Sequence, residues 1–131
     1  MAQRAAVEAF VPGTEQRDVR PIDLVHLAGQ CLGDENLEIE ILRMYDATVA
    51  TYLERLRLAL TVDDLLLNLH SIKGASSGVG AFSVADLAKD LETELLAHRP
   101  IAPERIDDLG MAVEEVRGYI ATLLARQPIE P

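Results

Sequence analysis

Tryptophan is absent from this sequence, phenylalanine occurs twice and tyrosine three times. A core built from it must be aliphatic, and leucine and alanine, which dominate the apolar residues, are strong helix formers. Runs of alternating Val, Thr and Tyr that mark strands are also missing, which argues against a sheet protein. Cys31 is the single cysteine. No internal disulfide is possible, which fits a reducing compartment, and its place on an apolar helical stripe makes it a core residue. No apolar run reaches the roughly 18 residues that a membrane span needs. The N-terminal stretch "MAQRAAVEAFVPG" is broken by Glu8 and Pro12, so it does not read as a signal peptide. The expected location is the cytoplasm. Nor is there a run of Lys and Arg. With 12 basic against 22 acidic residues the net charge is -10. Such a surface repels nucleic acid and anionic membranes, and neither is expected as a partner.

What is present is helical periodicity along a chain of 131 residues, the length of one domain. Residues 1–19 carry Pro12 and Gly13 with no sustained period and read as a flexible arm. Residues 20–127 read as the domain, and 128–131 as a loose end. The first predicted helix is "PIDLVHLAGQCLG", with Pro21 in its first turn, an apolar face of Ile22, Val25, Leu27, Cys31 and Leu32, and Gly33 as its stop. The second, "NLEIEILRMYDATVATYLERLRLAL", is capped by Asp34 or Asn36. Its stripe is Ile39, Leu42, Tyr45, Val49, Tyr52, Leu53, Leu56 and Leu60 over about seven turns. The third starts at "TVDD", where Thr61 and Asp64 form a capping-box-like pair, and runs past His70 toward Gly78. The fourth, "SVADLAKDLETELLAH", repeats that signal with Ser83 and Asp86 and has Val84, Leu87, Leu91 and Leu95 as its stripe. After the break "RPIAP", the fifth is "PERIDDLGMAVEEVRGYIATLLAR", with Ile106, Leu109, Val113, Val116, Ile120 and Leu124 inward. Four long amphipathic helices with short connections and a shorter leading helix predict an all-α protein, an antiparallel four-helix bundle.

One stretch does not fit a purely structural role. "HSIKGASSGVG", His70 to Gly80, puts a histidine, a lysine and then a glycine inside a helix, where glycine costs roughly 1 kcal/mol relative to alanine. At about 100° per residue, Leu65, Ile72, Ala75 and Val79 lie opposite His70, with Leu69 on the flank. His70 therefore faces solvent at mid-helix. Lys73, Gly74 and Ser77 lie within about 60° of it on the wheel. The missing side chain of Gly74 leaves space beside the imidazole, and Lys73 brings a positive charge to that space. A neutral imidazole is a usable nucleophile at neutral pH. Room and a cation beside a nucleophile suit a phosphoryl group, whose oxygens Lys73 meets as a point charge and Ser77 can reach with a hydrogen bond. Leu66 and Leu67 also lie on the His70 side, one turn earlier. Either the leading helix or the N-terminal arm covers them, or they form an apolar rim for a docking partner.

H-x-x-K-G with a further glycine ten positions after the histidine is the pattern of histidine-containing phosphotransfer (HPt) domains, met here as His70, Lys73, Gly74 and Gly80. Downstream, "GAFSVADLAKDLE" resembles the next helix of that family, with its Leu-Ala and Leu-Glu pairs. Upstream, "LGDENLEIEILRMYDATVATYLERLRLAL" resembles its first two helices, so the resemblance spans roughly residues 21–98. Leu69 stands where the family often has a small residue, and "TVDD" replaces a somewhat longer connection. The resemblance implies a phosphorelay intermediate. His70 is phosphorylated on Nε2 by the aspartate of a response regulator receiver domain and passes the group to another receiver. Lys73 stabilises the phosphoryl charge, Gly74 keeps room for the aspartyl phosphate, and Gly80 serves the turn between the third and fourth helices. Receiver domains and a hybrid histidine kinase are the implied partners. The Mg²⁺ sits on the receiver, and this chain needs no cofactor or metal of its own. Consistently, it carries no G-x-x-x-x-G-K-S/T loop, no kinase signature and no metal-ligand cluster.

Other readings remain open at this point. The chain could be a docking-only bundle that binds receivers without being phosphorylated, or a phosphoacceptor domain served directly by a histidine kinase. A hydrolase is disfavoured because no orienting carboxylate for His70 stands at an obvious spacing. His26 and His98 read as structural, Lys89 as a solvated residue with a smaller claim to reach the partner, and the pairs Asp63–Asp64, Asp107–Asp108 and Glu114–Glu115 as solvated faces. A free face around His70 favours a monomer.

Overall fold

The structure, a computed structural model, describes residues 20–126. The expected arm over 1–19 and the loose end over 128–131 lie outside the described residues. Five helices follow one another: α1 Leu24–Gln30, α2 Glu35–Leu58, α3 Val62–Val79, α4 Phe82–Leu96 and α5 Pro103–Ala125. There is no strand among the described residues. α2 packs on α3, α3 on α4, α4 on α5 and α5 back on α2, while α1 lies against α2 and α3.

Most of the stripes face inward. Leu42, Tyr45, Val49, Leu53 and Leu56 of α2 meet Leu69, Ile72 and Val79 of α3, Val84, Leu91 and Leu95 of α4, and Leu109, Val113, Val116 and Ile120 of α5. Cys31 is buried in the same core. Burial, with help from Glu38 and Asp34, pushes its thiol up, so it stays protonated and inert at neutral pH. Two helix starts follow their sequence signals. The Asp34 side chain accepts from Leu37 N, and that of Thr61 from Asp64 N, each satisfying an amide that lacks an intrahelical partner.

Four local expectations are corrected. α1 begins at Leu24 rather than around Pro21, because the Asp23 side chain caps it by accepting from His26 N at 3.1 Å. Val25 and Leu32 are 78% and 94% exposed. A helix of seven residues buries only one narrow face, and the chain leaves it through left-handed Leu32 (φ 54°) and Gly33 (φ 78°). Leu60, also 94% exposed, lies beyond the end of α2. Ser83 does not cap α4, whose N-cap is Ala81 with no side-chain hydrogen bond. Ala81 N is taken by Ser76 O at 2.8 Å, so the chain passes straight from the end of one helix into the next.

That passage depends on Gly80, which sits at φ 87°, in the region that glycine tolerates best. A Cβ there would also come within 2.9 Å of Asp23 O and 3.3 Å of the His26 ring. Asp23 N donates to Gly80 O at 3.0 Å. The glycine therefore serves the turn, as expected, and also admits the start of α1 against it. His26 packs edge-on against Phe82, with ring centroids 5.1 Å apart, which gives it a structural place.

Candidate functional site

α3 carries the candidate site because its two sides are bound to different neighbours. Toward the core it buries Leu69, Ile72 and Val79. Asn68, also buried, donates to Asp64 O one turn back, which settles its polar side chain within the helix. Buried Ser76 shares a 2.7 Å hydrogen bond with Tyr45 of α2. Burial pushes the Tyr45 phenol up to about 12, against the opposing pull of that hydrogen bond, so the hydroxyl stays neutral and α2 is pinned to α3. With that rotation set, His70 stands outward and its side chain is 68% exposed.

The ring does not stand alone. His70 Nδ1 lies 3.1 Å from Glu92 Oε2, and Lys73 Nζ donates to Glu92 Oε1 at 2.8 Å. Glu92 comes from α4, its side chain only 14% exposed. Burial raises its carboxyl pKa, but the hydrogen bonds of Lys73 and His70, with the charge of Lys73, outweigh that and leave it below its ordinary value. An ionised carboxylate only accepts, so in the neutral ring the proton sits on Nδ1 and Nε2 keeps the lone pair. No hydrogen bond engages Nε2 among the described residues. One residue thus orients the imidazole and holds the lysine beside it. No carboxylate stood at an obvious spacing from His70 in the sequence, and the fold supplies one in Glu92. Glu92 is 22 residues away in sequence and reaches His70 only because α4 folds back along α3. The Leu91-Glu92 pair, already part of the family resemblance, was the available signal.

The remaining predicted residues fall as follows. Gly74 is exposed, and a Cβ added there would meet nothing within 4 Å, so the space beside the imidazole is real. Ser77 is exposed one turn beyond Lys73. The two leucines differ: Leu67 is 62% exposed, whereas Leu66 is half-buried against the core. Leu66 therefore presents only an edge at the surface, because part of its side chain is packed inside. Gly80 lies at the end of α3, away from the ring. All six residues of the acidic pairs are exposed, as expected, with Asp107 meeting Arg57 and Glu114 meeting Arg117 at the surface.

On the α2 side of α3 runs an apolar groove of about 360 Å³ whose walls include Leu37, Ile41, Met44, Ala75 and Gly78. No group of three or more His, Cys, Asp or Glu able to hold a metal ion occurs among the described residues. No helix among them is long and apolar enough to cross a membrane.

Comparison with known proteins agrees with this geometry. A crystal structure of the HPT domain from the Hpt sensor hybrid histidine kinase from Shewanella superposes with a TM-score of 0.74 at 20% identity, covering 86% of this chain and 100% of that one. That likeness establishes the fold. No curated protein matches the sequence. The Hpt domain model matches residues 40–119, more than half of the chain and the whole of the His70–Lys73–Glu92 cluster. The chain therefore belongs to the Hpt domain family, with a phosphotransfer role in two-component signalling.

Proposed function

We propose that this protein is a histidine phosphotransfer intermediate that accepts a phosphoryl group on His70 from a receiver-domain aspartate and passes it to a second receiver. The observation that carries this reading is the Glu92 contact, which protonates Nδ1 and leaves an exposed, unengaged Nε2 lone pair. In the forward step that lone pair forms the N–P bond. The bond between phosphorus and the aspartyl oxygen breaks, and its electron pair leaves on the aspartate carboxylate. The Nδ1 proton stays in place, donated to Glu92, so the ring becomes an imidazolium whose charge the carboxylate offsets. The reverse of this step loads the next receiver.

Lys73 stands ready to turn from Glu92 toward the phosphoryl oxygens, a partial electrostatic contribution. Gly74 lets the aspartyl phosphate approach the ring, and Ser77 lies within the same face as a further donor. Leu67, with the edge of Leu66, gives the receiver apolar surface. The Mg²⁺ of the reaction belongs to the receiver, and the chain itself supplies no nucleotide site or kinase activity. In this reading α2 to α5 form an antiparallel four-helix bundle with α1 as a leading helix, residues 20–127 make the domain, and it works as a cytoplasmic monomer that meets receiver domains and a (hybrid) histidine kinase.

The test is transfer from a panel of phosphorylated receivers to the wild type and to His70→Gln. Label that is stable in alkali, lost in acid and present only in the wild type is the expected result. Label retained by His70→Gln overturns the assignment of the residue. A wild type that no receiver and no histidine kinase labels would leave a docking-only bundle as the function.

A further inference from the structure

The chain contains two lysines, Lys73 and Lys89, and both stand on the seam between α3 and α4. Among the described residues no arginine lies within α3 or α4. Lys73 is not a free charge, because its ammonium is 2.8 Å from Glu92 and the pair sums to zero. His70 is thus flanked by a neutral ion pair on a chain of net charge -10. An aspartyl phosphate brought by a partner is itself dianionic near neutral pH. Its phosphoryl oxygens must approach a surface of net negative charge, and the pair at Glu92 does not by itself make that surface attractive.

Lys89 changes that balance. It lies one turn before Glu92 on α4, about 4.5 Å along the axis toward the Gly80 turn, and so beyond the point where Glu92 meets His70 and Lys73. Ala85, Ala88 and Glu92 run along the α3-facing side of α4, the two alanines buried. Lys89 stands about 60° further round, away from the core, on the rim that His70 shares. It is exposed and forms no ion pair or hydrogen bond among the described residues. Of the acids on its own helix, Asp86 is engaged elsewhere and Asp90 lies about 100° away round the helix. On α3 the one acid or base tied to this seam besides His70 is Lys73, already paired with Glu92.

We infer that Lys89 is a docking residue for the phosphorylated receiver, the uncompensated positive charge that draws the partner's anionic rim to the α3–α4 side of His70. This rests on the phosphotransfer reading above. Lys89 touches neither the ring nor, in this role, the reacting atoms. It acts on encounter and not on the N–P bond.

The experiment uses the full chain and a receiver that labels the wild type. Lys89→Gln is expected to raise the KM for the phosphorylated receiver by about fivefold at low ionic strength, with kcat unchanged. The wild-type KM should rise with added salt and that of Lys89→Gln should not, because a screened charge has nothing left to lose. Lys89→Arg should restore the wild-type KM, and Arg99→Gln, with the same change in net charge, should leave it unchanged. Labelling by phosphoramidate, a small donor with no docking surface, should proceed equally in wild type and Lys89→Gln. An unchanged KM in Lys89→Gln overturns the inference, as does a loss in kcat alone or a slower reaction with phosphoramidate. If no receiver labels the wild type, the phosphotransfer reading fails and this inference fails with it.

Discussion

The two flanks of α3 solve different problems with the same helix. On the α4 side the contacts are ionic and partly open: Glu92 ties together Lys73 and His70, the latter largely in water. On the α2 side the key contact is neutral and buried, the hydroxyl pair of Tyr45 and Ser76. A partly open ion pair at the surface adds modestly to stability but dictates where a proton sits. A buried neutral hydrogen bond does the reverse. It is costly to break and chemically silent. The α4 flank is therefore the side on which chemistry is adjusted, and the α2 flank is the side on which the helix is held in rotation. His70 lies between them, at the one angle that both leave free.

Substitutions that hit one flank and spare the other would break or sharpen this contrast. The largest effect is expected from Glu92→Gln, which should slow receiver-to-protein transfer about tenfold, or about 1.4 kcal/mol in the barrier. A neutral amide no longer fixes the Nδ1 proton or offsets the ring's charge. Transfer at the wild-type rate would remove Glu92 from the mechanism. The same variant carries a pH signature. The folded-state pKa of Glu92 lies below its ordinary value of 4.5, so its ionised form stabilises the fold above that value. That contribution is lost as pH falls through the lower, folded-state pKa. Urea midpoints measured on acidification should fall more steeply for wild type than for Glu92→Gln, and parallel curves would contradict this.

A smaller effect, confined to stability, is expected on the other flank. Tyr45→Phe leaves the Ser76 hydroxyl buried without its partner and should cost about 1–2 kcal/mol, read as a lower denaturation midpoint. The transfer rate per folded molecule should not change. A variant that stays fully stable but transfers slowly would mean that the two flanks are not separable.

The smallest changes come from two glycines on the open face. A Cβ at either Gly74 or Gly78 meets nothing within 4 Å, so each alanine variant should gain at most about 1 kcal/mol from helix propensity. Gly74→Ala should nonetheless slow transfer, because it fills the approach beside the ring, while Gly78→Ala should not. Equal transfer in both would mean that the space at Gly74 is not used.

The sequence reading succeeded where the information is local. Thr61 and Asp34 cap their helices through bonds three residues long, and the outward angle of His70 follows from its spacing to Leu69, Ile72 and Val79. It failed at Ser83, where a good capping pattern is overridden by the bond from Ala81 N to Ser76 O. It failed again at Val25, on a helix too short to bury it, and at Leu32, which lies beyond the end of that helix. Leu66 and Leu67 read alike on a wheel, yet only the packing around α3 separates one as half-buried from the other as exposed.

Alone, the sequence determined that the protein is helical, where most helices begin and end, and that His70, Lys73 and Gly74 share a solvent-facing side. Those properties depend on propensity and on a fixed angle per residue, both of which act within a few positions of the chain. Only the tertiary structure decided that Glu92 orients His70, that Tyr45 fastens Ser76, and that Gly80 must be small for Asp23 as well as for its own turn. Each of these joins residues 22 to 57 positions apart. Their distances are set by how whole helices pack, which no angle per residue encodes.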